Sequence, residues 1–183
     1  MVIGTFAYCG SGQDTLADSM CRLFGYKKYC IGDIIRQIAI REKLPLTRDN
    51  LRQIRIKYDL KYGREYFPRI IADQIISDNY NNVVITGIRT MQEYHIFKKI
   101  FDIKIIFVYA DEKIRYKRML NRKSEKDESN IDLLKIQMEK EKQMFDYEDL
   151  LTVIDCKFDF SMDLESYMSK EYEIVNSLLL NLM

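Results

Sequence analysis

A chain of 183 residues, 47% hydrophobic and 31% charged, has the size of one globular domain and enough apolar side chains to close its own core. Its 29 basic and 28 acidic residues exclude the global positive field of a non-specific nucleic-acid binder and favour small-molecule partners; a homo-oligomer or protein partner stays open. Cys9, Cys21, Cys30 and Cys156 show no CxxC spacing and no grouping with His95, which excludes a sequence-evident zinc site or disulfide framework, and no run approaches the ~20 apolar residues that span a bilayer.

The opening MVIGTFAYCG meets glycine too early for a signal peptide, so a cytoplasmic protein is expected, with a first strand over 2–8. Ala7-Tyr8-Cys9-Gly10-Ser11-Gly12-Gln13-Asp14-Thr15 follows, then a helical pattern over 14–24. Strand, glycine turn and helix make the setting of a phosphate-binding loop, in which successive backbone N–H groups and the positive helix end converge on phosphate oxygens. Gly10, Ser11 and Gly12 keep that capacity. The pattern G-x-x-x-x-G-K-[ST] is nevertheless broken three times, with Ala7 for the first glycine, Gln13 for the lysine and Asp14 for the Mg²⁺-binding hydroxyl. Gln13 is the serious loss, because it removes the charge that normally sits on the β- and γ-phosphates. Asp14 either holds Mg²⁺, with Thr15 supplying a hydroxyl, or merely caps the helix at a tight turn.

A strand over 27–31 leads into a helix over 33–42 that opens with Gly32-Asp33-Ile34-Ile35-Arg36. Asp33 and Arg36 lie one turn apart on one side. The planar fork of Arg36 suits a substrate phosphate, while Asp33 has three open roles: orienting or deprotonating an acceptor hydroxyl, holding an arginine, or capping the helix. Helices over 48–61 and 65–77 follow, and Arg48, Arg52 and Arg55, beside Asp49 and Asp59, read as a solvated basic face. The strand over 83–86 ends in Thr86-Gly87-Ile88-Arg89 before a helix over 91–101. A positive charge at a helix start runs against the dipole, which disfavours reading Arg89 as a plain surface arginine. After a strand over 103–109, the helix over 112–122 carries Arg115, Arg118 and Arg122 at helical spacing, a pattern shared by a lid and by a solvated face. A polar loop over 121–130, a helix over 131–145, a strand over 156–160 and a helix over 162–180 capped by Ser161 complete the chain. Strands alternating with helices imply an α/β fold on a five-stranded parallel sheet, in a single domain over 1–183.

Four stretches, VIGTFAYCGSGQDTLAD, IGDIIRQIAIREKLPLTRDNL, VVITGIRTMQEYHIF and ADEKIRYKRMLNRKSEKDE, resemble the adenylate-kinase-like nucleotide kinases of archaea. These are relatives of dephospho-CoA kinase and of deoxynucleotide kinases, and the resemblance runs from Val2 to Leu180. It implies a P-loop nucleotide-kinase fold, with acceptor-binding helices over 33–77 and a short lid over 115–130. It also implies transfer of the γ-phosphoryl group of ATP, or another NTP, with Mg²⁺, to a nucleotide-like acceptor: a nucleoside or deoxynucleoside monophosphate, or dephospho-CoA.

Position by position, Gly10, Ser11, Gly12, Gln13, Asp14 and Thr15 match the phosphate loop, with Asp14 and Thr15 at the metal as in the GKDT variant. Asp33, Arg36 and Arg89 match the acceptor site, and Arg118 and Arg122 the lid, where arginines stabilise charge on the transferred group. Asp33, Arg122 and Gln13 are the catalytic candidates. Thr86 departs from the family as Gln13 does, standing where related kinases carry an aspartate that supports the Mg²⁺ water shell. The paired loss leaves a second reading, a nucleotide-binding pseudokinase that acts as a sensor or structural subunit. Phe158, Asp159 and Phe160 stand where relatives place a short polar residue against the adenine, which leaves stacking or backbone contact for the base.

Overall fold

The computed structural model describes residues 1–122 and 130–183. In chain order these form β1 (Val2–Ala7), α1 (Gln13–Phe24), β2 (Lys27–Cys30), α2 (Ile31–Arg41), α3 (Arg48–Tyr62), α4 (Tyr66–Asp78), β3 (Val83–Thr86) and α5 (Met91–Ile100). The second half adds β4 (Ile103–Tyr109), α6 (Glu112–Asn121), α7 (Ile131–Met144), α8 (Tyr147–Leu150), a 3-10 turn (Leu151–Val153), β5 (Cys156–Asp159), α9 (Leu164–Ser169) and α10 (Glu171–Leu180). The part of the expected lid over 123–129 lies outside the described residues.

The sheet has five strands in the order β2-β3-β1-β4-β5, every neighbouring pair parallel. Alternate residues of a strand face opposite sides, and here both sides are apolar. Val83 and Ile85 of β3 with Ile103, Ile105 and Phe107 of β4 pack under α2 to α5 and α8. Val84, Ile106 and Val108 point the other way, into a core closed by α1, α9 and α10. Burial on two faces is why these strands read as unbroken apolar runs rather than as alternating ones. The chain leaves β1 towards β3 and β2 and later crosses to β4 and β5, so the order reverses at β1. In open sheets of this kind ligands bind beyond the carboxyl ends of the strands at that reversal.

The helix expected over 162–180 is interrupted. Lys170 leaves helical geometry at φ −124 and ψ 15, its N–H closing onto Tyr167 O at 3.1 Å, and α10 starts afresh from Lys170 O. Asp163 rather than Ser161 caps α9, accepting from Ser166 N at 2.8 Å, while Ser161 Oγ accepts from Asp111 N at 3.1 Å and ties the β5–α9 loop to the end of β4. The single turn of α8 is too short to carry a periodic pattern and had no sequence signal.

Candidate active site

The carboxyl ends of β1 and β3 open onto a cavity of about 490 Å³. Its floor is the loop after β1, where Ser11 N donates to Tyr8 O at 3.2 Å and closes a tight turn. Gly10 (φ 85) and Gly12 (φ 94) are left-handed. A Cβ on Gly10 would stand 2.7 Å from Arg115 O and one on Gly12 2.4 Å from the Phe160 ring, so conformation and space both require glycine here. Gly12 is also the N-cap of α1 and lends it no side-chain bond, which leaves the first N–H groups of the helix for an anion. The capping role open to Asp14 is thereby removed: it lies inside the first turn of α1 with its carboxylate exposed, 3.6 Å from Lys28 Nζ.

The amide of Gln13 points back into the sheet, Nε2 donating to Thr5 O at 2.7 Å and Thr5 Oγ1 at 2.6 Å. Lacking charge, it takes the carbonyl and hydroxyl oxygens that Thr5 of β1 offers. On the same wall Ser11 Oγ and Thr86 Oγ1 are buried without a hydrogen-bond partner among the described residues. Each such group costs about 1–3 kcal/mol when left unsatisfied, which favours a polar ligand and its water shell beside them. Mg²⁺ is commonly held by one or two protein carboxylates together with substrate phosphates and water. Asp14 and Thr15 both line the cavity and provide that donor set, with the Ser11 and Thr86 hydroxyls on the same wall for bound waters. Among the described residues no group of three or more His, Cys, Asp or Glu could hold a metal by itself. The residues therefore fit a metal that arrives with a nucleotide.

Arg36 and Arg89 also line the cavity, whereas Asp33 does not. The Asp33 carboxylate is engaged by the Arg36 guanidinium, with Nε donating at 3.1 Å, and the N-cap of α2 is Cys30, so Asp33 holds an arginine and does not cap. The Arg89 guanidinium lies over the Phe145 ring, 4.9 Å from its centroid, and Arg89 O accepts from Asp146 N at 3.0 Å. Glu93 sets the backbone beneath it. One carboxylate oxygen accepts from Arg89 N at 2.6 Å and Thr90 N at 3.0 Å, the other from Arg55 Nη1 at 2.7 Å.

The expectation for α3 is overturned. Its arginines do not form a solvated face: the Arg48, Arg52 and Arg55 side chains are only 9%, 15% and 5% exposed, and all three line the cavity. Burial works against the charge of Arg55, yet Glu93 and Asp59 outweigh it and leave the guanidinium above its ordinary pKa. The spacing i, i+4, i+7 is that of a buried helix stripe, here carried by charged residues.

Arg118 serves as a clamp. Its Nη1 donates to Gly10 O and Ser11 O, each at 3.3 Å, and its Nη2 to Phe160 O at 2.7 Å and Met162 O at 2.8 Å. It thus pins the phosphate loop to the segment after β5, with Phe160 beneath its guanidinium at 5.2 Å. Arg122 lines the cavity at the end of α6, and Phe160 lines it while Phe158 does not. Glu141 of α7, also on the wall, carried no sequence signal at all. Its carboxylate is bonded by Arg48 Nη1 and, at 3.2 Å, by the thiol of Cys9, 132 residues away.

A family model described as an AAA domain matches residues 7–135 of the chain. A UPF0200 protein of Hyperthermus butylicus is 30% identical over 113 residues, which are 62% of this chain and 60% of that relative. Another, from Methanococcus maripaludis, is 27% identical over 70% of each chain. Among solved structures, a gluconokinase from Sinorhizobium meliloti superposes with a TM-score of 0.60 at 15% identity, covering 99% of this chain and 94% of its own. A shikimate kinase from Aquifex aeolicus gives 0.53 at 18% identity over 100% and 96%. At such identities the two structures share the fold.

Proposed function

We propose, from the premise that this chain belongs to the AAA domain family (AAA_17), that it is a P-loop small-molecule kinase transferring the γ-phosphoryl group of ATP to a nucleotide-like acceptor. The acceptor is a nucleoside or deoxynucleoside monophosphate, or dephospho-CoA. One observation carries this reading: a single cavity is lined both by a glycine loop with unblocked helix N–H groups and by Arg36, Arg89 and the α3 arginines. A donor phosphate and an anionic acceptor laid along it meet end to end, and phosphoryl transfer asks chiefly for such positioning and for charge stabilisation.

In this reading the N–H groups of Gly10 to Thr15 cradle the donor phosphates while Arg118 keeps the loop in place. Arg122 stands at the mouth, where charge grows on the transferred group. Mg²⁺ at Asp14 and Thr15 supplies charge neutralisation at the β- and γ-phosphates when bound. Arg36, set by Asp33, and Arg89, set by Glu93, grip the acceptor. Phe160 offers an apolar wall to the base. Gln13 reaches a phosphate only by giving up Thr5.

That last feature favours a second reading, a nucleotide-binding pseudokinase serving as sensor or structural subunit, because the bonds from Gln13 to Thr5 leave the lysine's place without a charge. Labelled γ-phosphate transfer separates the two, tested on nucleoside monophosphates, deoxynucleoside monophosphates and dephospho-CoA beside a Gln13→Lys, Thr86→Asp variant. Transfer by the native chain is the expected result and names the acceptor. Transfer by the double variant alone establishes the pseudokinase.

A further inference from the structure

Helix α3 turns Arg48, Leu51, Arg52 and Arg55 to the cavity. Their spacing, i, i+3, i+4, i+7, is the one an apolar helix face shows when it packs on a core, yet only Leu51 is apolar. A guanidinium on such a face needs a counter-charge, and two of the three receive one from another element. Arg48 Nη1 donates to the Glu141 carboxylate of α7, and Arg55 donates through Nη1 to Glu93 of α5 at 2.7 Å and through Nε to Asp59 at 2.8 Å. Arg52 differs from both. Its Nη1 donates at 2.7 Å to Asp49, a carboxylate of its own helix that is 68% exposed and does not line the cavity. Its Nη2 is buried and has no hydrogen-bond partner among the described residues. An exposed ion pair of this kind contributes little, and a buried charged donor without an acceptor is costly, so the fold itself gains little from Arg52.

We propose that the counter-charge missing from α3 is supplied by the acceptor, and that Arg52 binds a phosphate-type oxyanion that enters the cavity. The inference rests on the kinase reading of the cavity and adds Arg52 to the residues that grip the acceptor. One guanidinium fork holds a phosphate through two parallel N–H···O bonds. Arg52 has Nη2 in reserve, and Nη1 follows once Asp49 is released to water, which an exposed pair does at little cost. Asp49 is thus the resting partner of a binding arginine. The wall is braced on either side of it, because Glu93 takes Arg55 on one oxygen and the backbone N–H of Arg89 on the other. The acceptor class selected this way bears an anionic group before transfer begins and is not a neutral polyol.

The test is calorimetric titration of pyrophosphate into the full chain saturated with ADP, which fills the phosphate loop. It is run on the native protein, Arg52→Met and Asp49→Asn, with thermal melting of each. Arg52→Met is expected to bind pyrophosphate roughly tenfold more weakly, the effect of one lost charged hydrogen-bond partner. It is also expected to melt at the native temperature or above it, because methionine fills the space without a buried charge to compensate. Weaker binding with undiminished stability is a pairing that a merely structural arginine does not give. Asp49→Asn is expected to bind roughly two- to fivefold tighter, since an exposed ion pair no longer competes. A folded Arg52→Met with native pyrophosphate affinity overturns the proposal. Should Arg52→Met melt lower or fail to fold, Asp49→Asn decides, and unchanged affinity there overturns it too. Pyrophosphate binding needs no turnover, so absence of phosphoryl transfer leaves this test standing. Conversely, transfer combined with unchanged affinity in Arg52→Met sinks the Arg52 seat and spares the kinase.

Discussion

Replacing Glu93 with alanine is expected to remove about 3–5 kcal/mol of folding stability, read as a lower urea midpoint at unchanged slope. Glu93 is fully buried, and its two oxygens receive the Arg55 guanidinium and the backbone N–H groups of Arg89 and Thr90. Without it, Arg55, 4% exposed and otherwise held by Asp59 at 2.8 Å, keeps a buried charge with half its compensation. Two backbone donors at the start of α5 also lose their acceptor. The same change loosens Arg89, so acceptor affinity should fall together with stability. A loss below about 1 kcal/mol, the size of an exposed ion pair, would mean that the network re-forms around Arg55 and that Glu93 does not set the acceptor wall.

Asp14→Ala is expected to slow phosphoryl transfer roughly a hundredfold, the effect of about 3 kcal/mol of lost charge stabilisation at the metal. The fold should be untouched, because Asp14 is exposed, makes no cap and, among the described residues, has only Lys28 for a close charged partner, at 3.6 Å. Single-turnover transfer against nucleotide affinity is the informative pair of measurements. In a kinase the rate collapses with little change in binding. In a pseudokinase removing the carboxylate relieves its repulsion of the bound phosphates, and nucleotide binds as well or better. An unchanged rate would remove Asp14 from the metal.

The phosphate loop was legible because its chemistry is local: Gly10 and Gly12 are needed where φ turns positive, and they follow an apolar strand at a fixed spacing. The Thr90 to Glu93 capping box is equally local, and it places Arg89 at the head of α5. The burial of the α3 stripe is not legible in the sequence, for a physical reason. A charged residue is ordinarily solvated, and it is Glu93 and Glu141, contributed by the distant α5 and α7, that help offset the burial of Arg55 and Arg48. Arg118 was expected at the lid, but carbonyls from Gly10, Ser11, Phe160 and Met162 converge on it and give it a clamping task as well.

From its own pattern of strands, glycines and helix spacings, the chain specifies an α/β fold of five parallel strands and a phosphate loop lacking its lysine, since these depend on residues within a few positions of one another. Where each charge ends up is settled by packing. Gln13 is drawn to Thr5, Asp33 is spent on Arg36, and Glu141 meets Cys9 across 132 residues, because a buried ionic or polar group takes the partner the folded chain brings to it, whatever its distance in sequence.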